Sequence, residues 1–168
     1  KDTYVKQALV AENEFRVQQP KYVTLPTFAE AKQILPNPIW VGHEEEINMY
    51  WRAWEIGVGN LRNPQPGSGF IMPYIDTAYN GNIFMWDSSF ILMFARYGAR
   101  FFPFQNTLDN FYAKQHPDGF ICREIKADGA DCFERYDPVS TGPNLIPWCE
   151  MVYFHQFGDM ERLHKIFP

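Results

Sequence analysis

Trp86 and Asp87 set a flat apolar ring beside a carboxylate, within the run Ile83-Phe84-Met85-Trp86-Asp87-Ser88-Ser89-Phe90. An Asp before a long apolar stretch predicts a helix start, because its side chain accepts from the exposed N–H groups of a first turn. The chemistry open to such a pair is recognition of a hydroxylated ring. The indole stacks on C–H faces, and the carboxylate accepts two hydroxyl hydrogen bonds. The plainer alternative is a buried aromatic beside an ordinary cap, and the residues alone leave both open.

Other residues offer weaker chemistry. Arg123 and Glu124 end the alternating run Phe120-Ile121-Cys122-Arg123-Glu124-Ile125, as a pocket pair or a plain surface ion pair. Asn144 precedes an apolar stretch, where a helix cap and a ligand contact are both open. Trp51 and Trp54 read as core rather than as a stacking platform, and Glu44, Glu45 and Glu46 as a solvated helix start favoured by the dipole. Asp128, Asp131 and Asp137 share a loop without the spacing or the glycine of a calcium-binding EF-hand. Cys122, Cys132 and Cys149 form no CxxC, so no metal is expected. Cys122 and Cys132 can close a small loop in an oxidising compartment; free buried thiols are the alternative. His43, His116, His155 and His164 are scattered without a spaced Ser or Cys partner. No glycine-rich phosphate loop or dinucleotide fingerprint occurs, and no cofactor is expected.

The elements that must position these residues are helical. Residues 1–40 form a lead-in punctuated by Pro20, Pro26, Pro36 and Pro38, with short helices predicted at Val5–Phe15 and Phe28–Ile34. Residues 41–168 form the body that the lead-in is expected to wrap. A first strong helix is predicted over His43–Leu61, from Ile47, Tyr50, Trp51, Trp54, Val58 and Leu61 at helical spacing. A second starts near Asp87 and stops at Gly98; being apolar nearly all round, it should be buried on most sides. A third spans Pro103–Gln115 and a fourth Pro143–Phe157, ending at Gly158, with Asp159 capping a fifth. Phe120–Ile125 is the one short β segment expected. No repeat of solenoid length is visible. Four or five helices barely cover two apolar ones, which implies a further covering body.

Composition narrows the function classes. The 168 residues are 46% hydrophobic and 21% charged, which fits a folded domain. A net charge of −5 disfavours nucleic acid, whose phosphates need a cationic surface. No run approaches the ~20 apolar residues of a membrane span. Lys1-Asp2-Thr3-Tyr4 does not read as a signal peptide, since no apolar stretch follows the charge. Aromatic residues reach 17%, more than a helical core needs, and such rings serve cores and sugar faces alike.

Three segments in order resemble the six-hairpin glycosidases: trehalases, processing α-glucosidases, and bacterial hydrolases of glucosylglycerate and mannosylglycerate. Trp86-Asp87-Ser88 followed by Phe90 is similar to the family's helix start. Gln115-His116-Pro117-Asp118-Gly119-Phe120-Ile121-Cys122-Arg123-Glu124 resembles the turn one helix later. Gly142-Pro143-Asn144-Leu145-Ile146-Pro147-Trp148 resembles the approach to the next inner helix. The resemblance covers residues 43–165. Tyr79-Asn80-Gly81-Asn82 stands where trehalases carry an Arg-rich signature, which argues against trehalase itself.

The resemblance implies an all-α fold of helical hairpins forming part of an (α/α)6 toroid. It also implies an inverting, α-glycosidase-like hydrolase, in which one carboxyl protonates the leaving oxygen and another activates water. The relatives place that acid and base well beyond the Trp-Asp pair, so both are expected outside these 168 residues. This chain is then expected to supply part of the sugar subsite: Trp86, Asp87, Phe84, Arg123, Glu124 and Asn144. The expected partners are an oligosaccharide or small glycoside and the remainder of the barrel or a complementary chain. The expected location is periplasmic or secreted, with the cytoplasm as the alternative. Two rivals stand beside this reading: a non-catalytic carbohydrate-binding or helical interaction module, and a polysaccharide lyase, which would want a more cationic cleft.

Overall fold

Thr27 opens the first helix by a reciprocal cap: its hydroxyl accepts from the Glu30 amide at 3.3 Å, and Glu30 accepts from the Thr27 amide at 2.8 Å. The computed structural model describes residues 13–135 and 142–167. Its helices are α1 (Phe28–Ile34), α2 (Glu44–Gly59), α3 (Met85–Ala95), α4 (Thr107–Ala113), α5 (Ile146–Phe157) and α6 (Met160–Ile166). The strands are two residues each: β1 (Leu61–Arg62), β2 (Tyr74–Ile75), β3 (Ile83–Phe84) and β4 (Glu124–Ile125). The protein is therefore mainly helical, as the periodicity predicts, and its described helices do not close into a barrel.

The core gathers around Trp54 of α2. Its ring centroid lies 5.1 Å from Phe94, 6.0 Å from Phe101 and 6.1 Å from Phe104. Gly98 permits this approach, because a Cβ there would meet the Phe101 ring at 2.6 Å and those of Phe104 and Trp54 at 2.9 Å. Burial of one such ring contributes ~1.5–3 kcal/mol. Trp54 is core, as its spacing predicts, while Glu44, Glu45 and Glu46 are exposed.

Both strand pairs are antiparallel: Leu61 faces Ile75, and Ile83 faces Ile125. The connection between β1 and β2 is pinned by Asn110 of α4. Its side-chain oxygen accepts from the amides of Ile71 (2.8 Å) and Met72 (3.0 Å), and its amide donates to the Met72 carbonyl at 3.0 Å. The expected strand over Phe120–Ile125 shrinks to Glu124–Ile125; Phe120 is drawn into the His116–Phe120 turn, and residues 121–123 run irregularly. Its partner, Ile83–Phe84, lacks any β-length pattern of its own.

Boundaries move elsewhere as well. The helix predicted from Pro103 begins as a 3-10 turn, Phe104–Asn106, and becomes α4 at Thr107. The helix predicted from Pro143 begins at Ile146, with Pro147 in its first turn, and stops at Gly158 in the left-handed conformation. Asp159 caps α6 as predicted, accepting from the Arg162 amide at 2.9 Å. Of the helix predicted over Val5–Phe15, only the end falls among the described residues. There the chain forms a 3-10 turn, Glu14–Val17, whose Phe15 packs on Tyr112 at 5.0 Å.

Helix α3 departs from its expected burial. Ser88, Ser89, Leu92 and Ala95 face inward, while Phe90 is 54% exposed and Phe94 36%. Leu92 and the small residues sit on the packed side; Phe90 lies outside, while the part-exposed Phe94 ring still packs on Trp54. Helix α5 lies alongside, bringing Trp148 to 6.2 Å from Phe90.

Candidate functional site

Helix α3 and strand β4 bring the first two sequence motifs together. Strand β3 leads directly into α3, and the Met85 amide donates to the Arg123 carbonyl at 2.8 Å. That bond fixes Arg123 beside the first turn of α3. The Arg123 guanidinium then lies 5.4 Å from the Trp86 ring centroid and 3.7 Å from that of Phe133. Stacking on two rings holds a guanidinium by cation–π attraction and dispersion while sparing its N–H groups. Its Nε is buried and has no hydrogen-bond partner among the described residues.

The third motif arrives at the same ring. Gly142 packs so closely on Trp86 that a Cβ would lie 2.0 Å from Cζ3. Trp86, Arg123 and Gly142 thus form one cluster from three separate stretches of sequence. Asn144 follows two residues later, exposed, and makes no hydrogen bond to another described residue.

Two placements correct the sequence reading. Asp87 does not cap α3, because the helix starts two residues earlier, at Met85, and Phe84 occupies the cap position. Asp87 falls in the first turn instead, where its charge still suits the helix dipole. It is exposed and hydrogen-bonds no other described residue. Asn144 does not cap α5 either; Leu145 holds that position without a side-chain bond. The early onset of α3 follows from β3, which hands the chain over with no intervening loop.

Phe84 and Glu124 face each other across the β3–β4 pair. Glu124 accepts from Asn82 Nδ2 at 3.0 Å, and the Asn82 oxygen accepts from the Ala127 amide at 3.1 Å. Glu124 is therefore engaged in holding the turn after β4. Asn82 was legible only as a turn residue.

Sequence reasoning also missed a cavity of about 560 Å3 beside this cluster, lined by His116, Phe120, Asp131, Phe133, Glu134 and Arg135. One wall is the turn after α4; the other is the chain returning from β4. His116 Nε2 meets Asp131 Oδ2 at 2.7 Å, and Arg135 pairs with Asp118. Phe133 belongs to both sites, since its ring carries Arg123 and also lines the cavity. The absence of a spaced Ser or Cys gives no hint of this pairing of His116 with Asp131, fifteen residues away in sequence. Asp137 lies outside the described residues.

A buried polar network was equally hidden. Arg162 of α6 donates through Nε and Nη2 to the two oxygens of Glu150, at 2.8 and 2.6 Å, and through Nη1 to Asp109 at 2.9 Å. Tyr112 and Gln105 complete the shell of Glu150 at 2.9 and 2.8 Å. Burial raises the Asp109 carboxyl above the ordinary range, against the pull of Arg162. These carboxylates are spent on structure, tying α4, α5 and α6 together, and are not available as an acid–base pair.

All three cysteines are free thiols. Burial first, then the charge of Glu124, pushes Cys132 up to about 11, so it is no thiolate nucleophile at neutral pH. Among the described residues no group of His, Cys, Asp and Glu is arranged to hold a metal ion, and no helix is long and apolar enough to cross a membrane. Compared with protein-family models, curated proteins and solved structures, the chain matches none.

Proposed function

We propose that this chain supplies part of the sugar-binding subsite of an inverting, α-glycosidase-like hydrolase. In this reading its helical hairpins form part of an (α/α)6 toroid. The observation that carries the reading is the meeting of three sequence motifs at one indole: Arg123 against the Trp86 ring and Gly142 packed upon it. The half-buried indole offers the ring surface that Arg123 and Gly142 leave open, Arg123 offers N–H donors not committed to a carboxylate, and the exposed Asp87 offers an acceptor. Those are the three things a pyranose needs. Phe84 and Asn144 are assigned to the same subsite by their sequence places beside these motifs, and Glu124 steadies the strand that follows Arg123.

The catalytic acid and base come from other residues, in the remainder of the barrel or a complementary chain. The exposed rings of Phe90 and Trp148 on α3 and α5 suit contact with that body. A periplasmic or secreted setting suits such an enzyme.

Sugar titration of the full chain, followed by tryptophan fluorescence, tests the binding half of the proposal. Methyl α-D-glucopyranoside and maltose should perturb the emission. Trp86→Ala should abolish the response, and Asp87→Ala should weaken affinity about tenfold, the loss of one charged hydrogen bond. Unchanged sugar affinity in both variants would sink the proposal.

A further inference from the structure

The cavity beside Phe133 has a shape and chemistry of its own. At about 560 Å3 it falls within the ~300–1,000 Å3 of small-molecule sites. Its two walls are tied at two points, by His116 to Asp131 and by Arg135 to Asp118. These pairs link the two walls of what is an open cleft. The walls are mixed: Phe120 and Phe133 give apolar ring surface, while Asp131 and Glu134 give acceptors and His116 gives a donor.

Charge selects the occupant. Arg135 is already matched by Asp118 and stacks on Phe120 at 4.9 Å. An acidic ligand would meet Asp131 and Glu134 against a guanidinium that is already matched. A purely apolar ligand would strip water from the carboxylates it covered without replacing it. A neutral molecule rich in hydroxyls, with one C–H face, satisfies all the walls at once.

We propose that this cavity is a second monosaccharide subsite, taking a neutral hexose unit and discriminating against uronic acids. The sugar class rests on the proposed function above; the separate location rests on the cavity. Phe133 is the shared wall, so a unit in the cavity and a unit on Trp86 would flank one ring and belong to one oligosaccharide. Asp131 is then a positioning residue that orients His116, whose other ring nitrogen is left for a hydroxyl.

The test is binding to the full chain by ligand-observed NMR and calorimetry, with methyl α-D-glucopyranoside, D-glucuronic acid and maltose as probes. Four chains are compared: wild type, Trp86→Ala, His116→Ala and Glu134→Gln, with circular dichroism to confirm folding. Glu134 is exposed, so its variant keeps the test decisive if His116→Ala fails to fold. The expected result is that the glucoside binds more tightly than glucuronic acid. Each cavity variant should weaken it several-fold, and maltose should lose affinity in Trp86→Ala and cavity variants alike. If only Trp86→Ala weakens the sugars, the cavity proposal fails and the Trp86 reading stands. If only the cavity variants weaken them, the cavity proposal stands and the Trp86 reading fails. Absence of glucoside binding, or a preference for glucuronic acid, overturns the inference.

Discussion

Gly142 packs against the six-membered ring of Trp86, with no room for a side chain. A methyl group there would sit 2.0 Å from Cζ3, 2.7 Å from Cε3 and 3.0 Å from Cη2. The indole cannot give way by rotating one flexible end, as a lysine would. Gly142→Ala should therefore push the third motif off the ring or turn the indole. We expect a stability loss of ~1–3 kcal/mol, the usual cost of overpacking. Weaker sugar-induced fluorescence change should accompany it. Urea titration and the glycoside titration read the two effects on the same sample.

Asn110 supports the next expectation. It is fully buried and closes three hydrogen bonds to the backbone of Ile71 and Met72. Replacing it with alanine leaves two amides and a carbonyl without partners in a dry interior, at ~1–3 kcal/mol per orphaned group. Asn110→Ala should lower the denaturation midpoint more than removal of an exposed side chain such as Met49. Amide hydrogen exchange at Ile71 and Met72 should speed up selectively. Slow exchange there in a destabilised variant would contradict the anchoring role.

Arg162 makes a sharper prediction, because two carboxylates depend on it. Arg162→Leu would leave Glu150 and Asp109 buried without a counter-charge, a change that costs ~3–5 kcal/mol in comparable buried pairs. The pH dependence has a definite sign. Burial raises the Asp109 carboxyl above its unfolded value. Its contribution to stability is therefore full below the unfolded carboxylate range of roughly 4 and declines as pH rises through the raised value. Asp109→Asn should flatten that decline while keeping an acceptor for Arg162. Urea midpoints measured from acid to neutral pH in wild type and variant decide it; parallel curves would reject the assignment.

The sequence carried the helices more readily than the site. Apolar spacing placed α2, and the Thr27-Glu30 cap accompanies a helix whose bounds, Phe28–Ile34, matched the expectation. Asp159 announced α6 correctly, since a cap acts on residues within one turn. Asp87 misled for the opposite reason. A helix start depends on what delivers the chain to it, and β3 owes its existence to Glu124 and Ile125, about forty residues away. The contact between Arg123 and Trp86 came from motif order, not from spacing. His116 with Asp131, and Arg162 with Glu150 and Asp109, left no local signal, because each pairing is made across the fold. Exposure of Phe90 was hidden too, since an all-apolar helix gives no hint of which face packs.

The thiols offer the last test. Burial pushes Cys149 up to about 12, partly offset by the hydrogen bond from Gln105, and Cys132 sits at about 11. Burial also raises the Tyr74 phenol to about 12. Each is held in its neutral form by folding, so each contributes stability that is complete below its unfolded value. That stability is lost as pH climbs through the folded values, between roughly 8.5 and 12. The folded protein should therefore lose urea resistance steadily across that interval, and Cys149→Ser should blunt the early part of the loss. Iodoacetamide should label Cys149 in the folded chain far more slowly than in urea, because thiolate is the reactive form and burial suppresses it. Labelling of Cys149 at equal rates in both states, followed by peptide mass spectrometry, would mean that α5 does not bury this thiol.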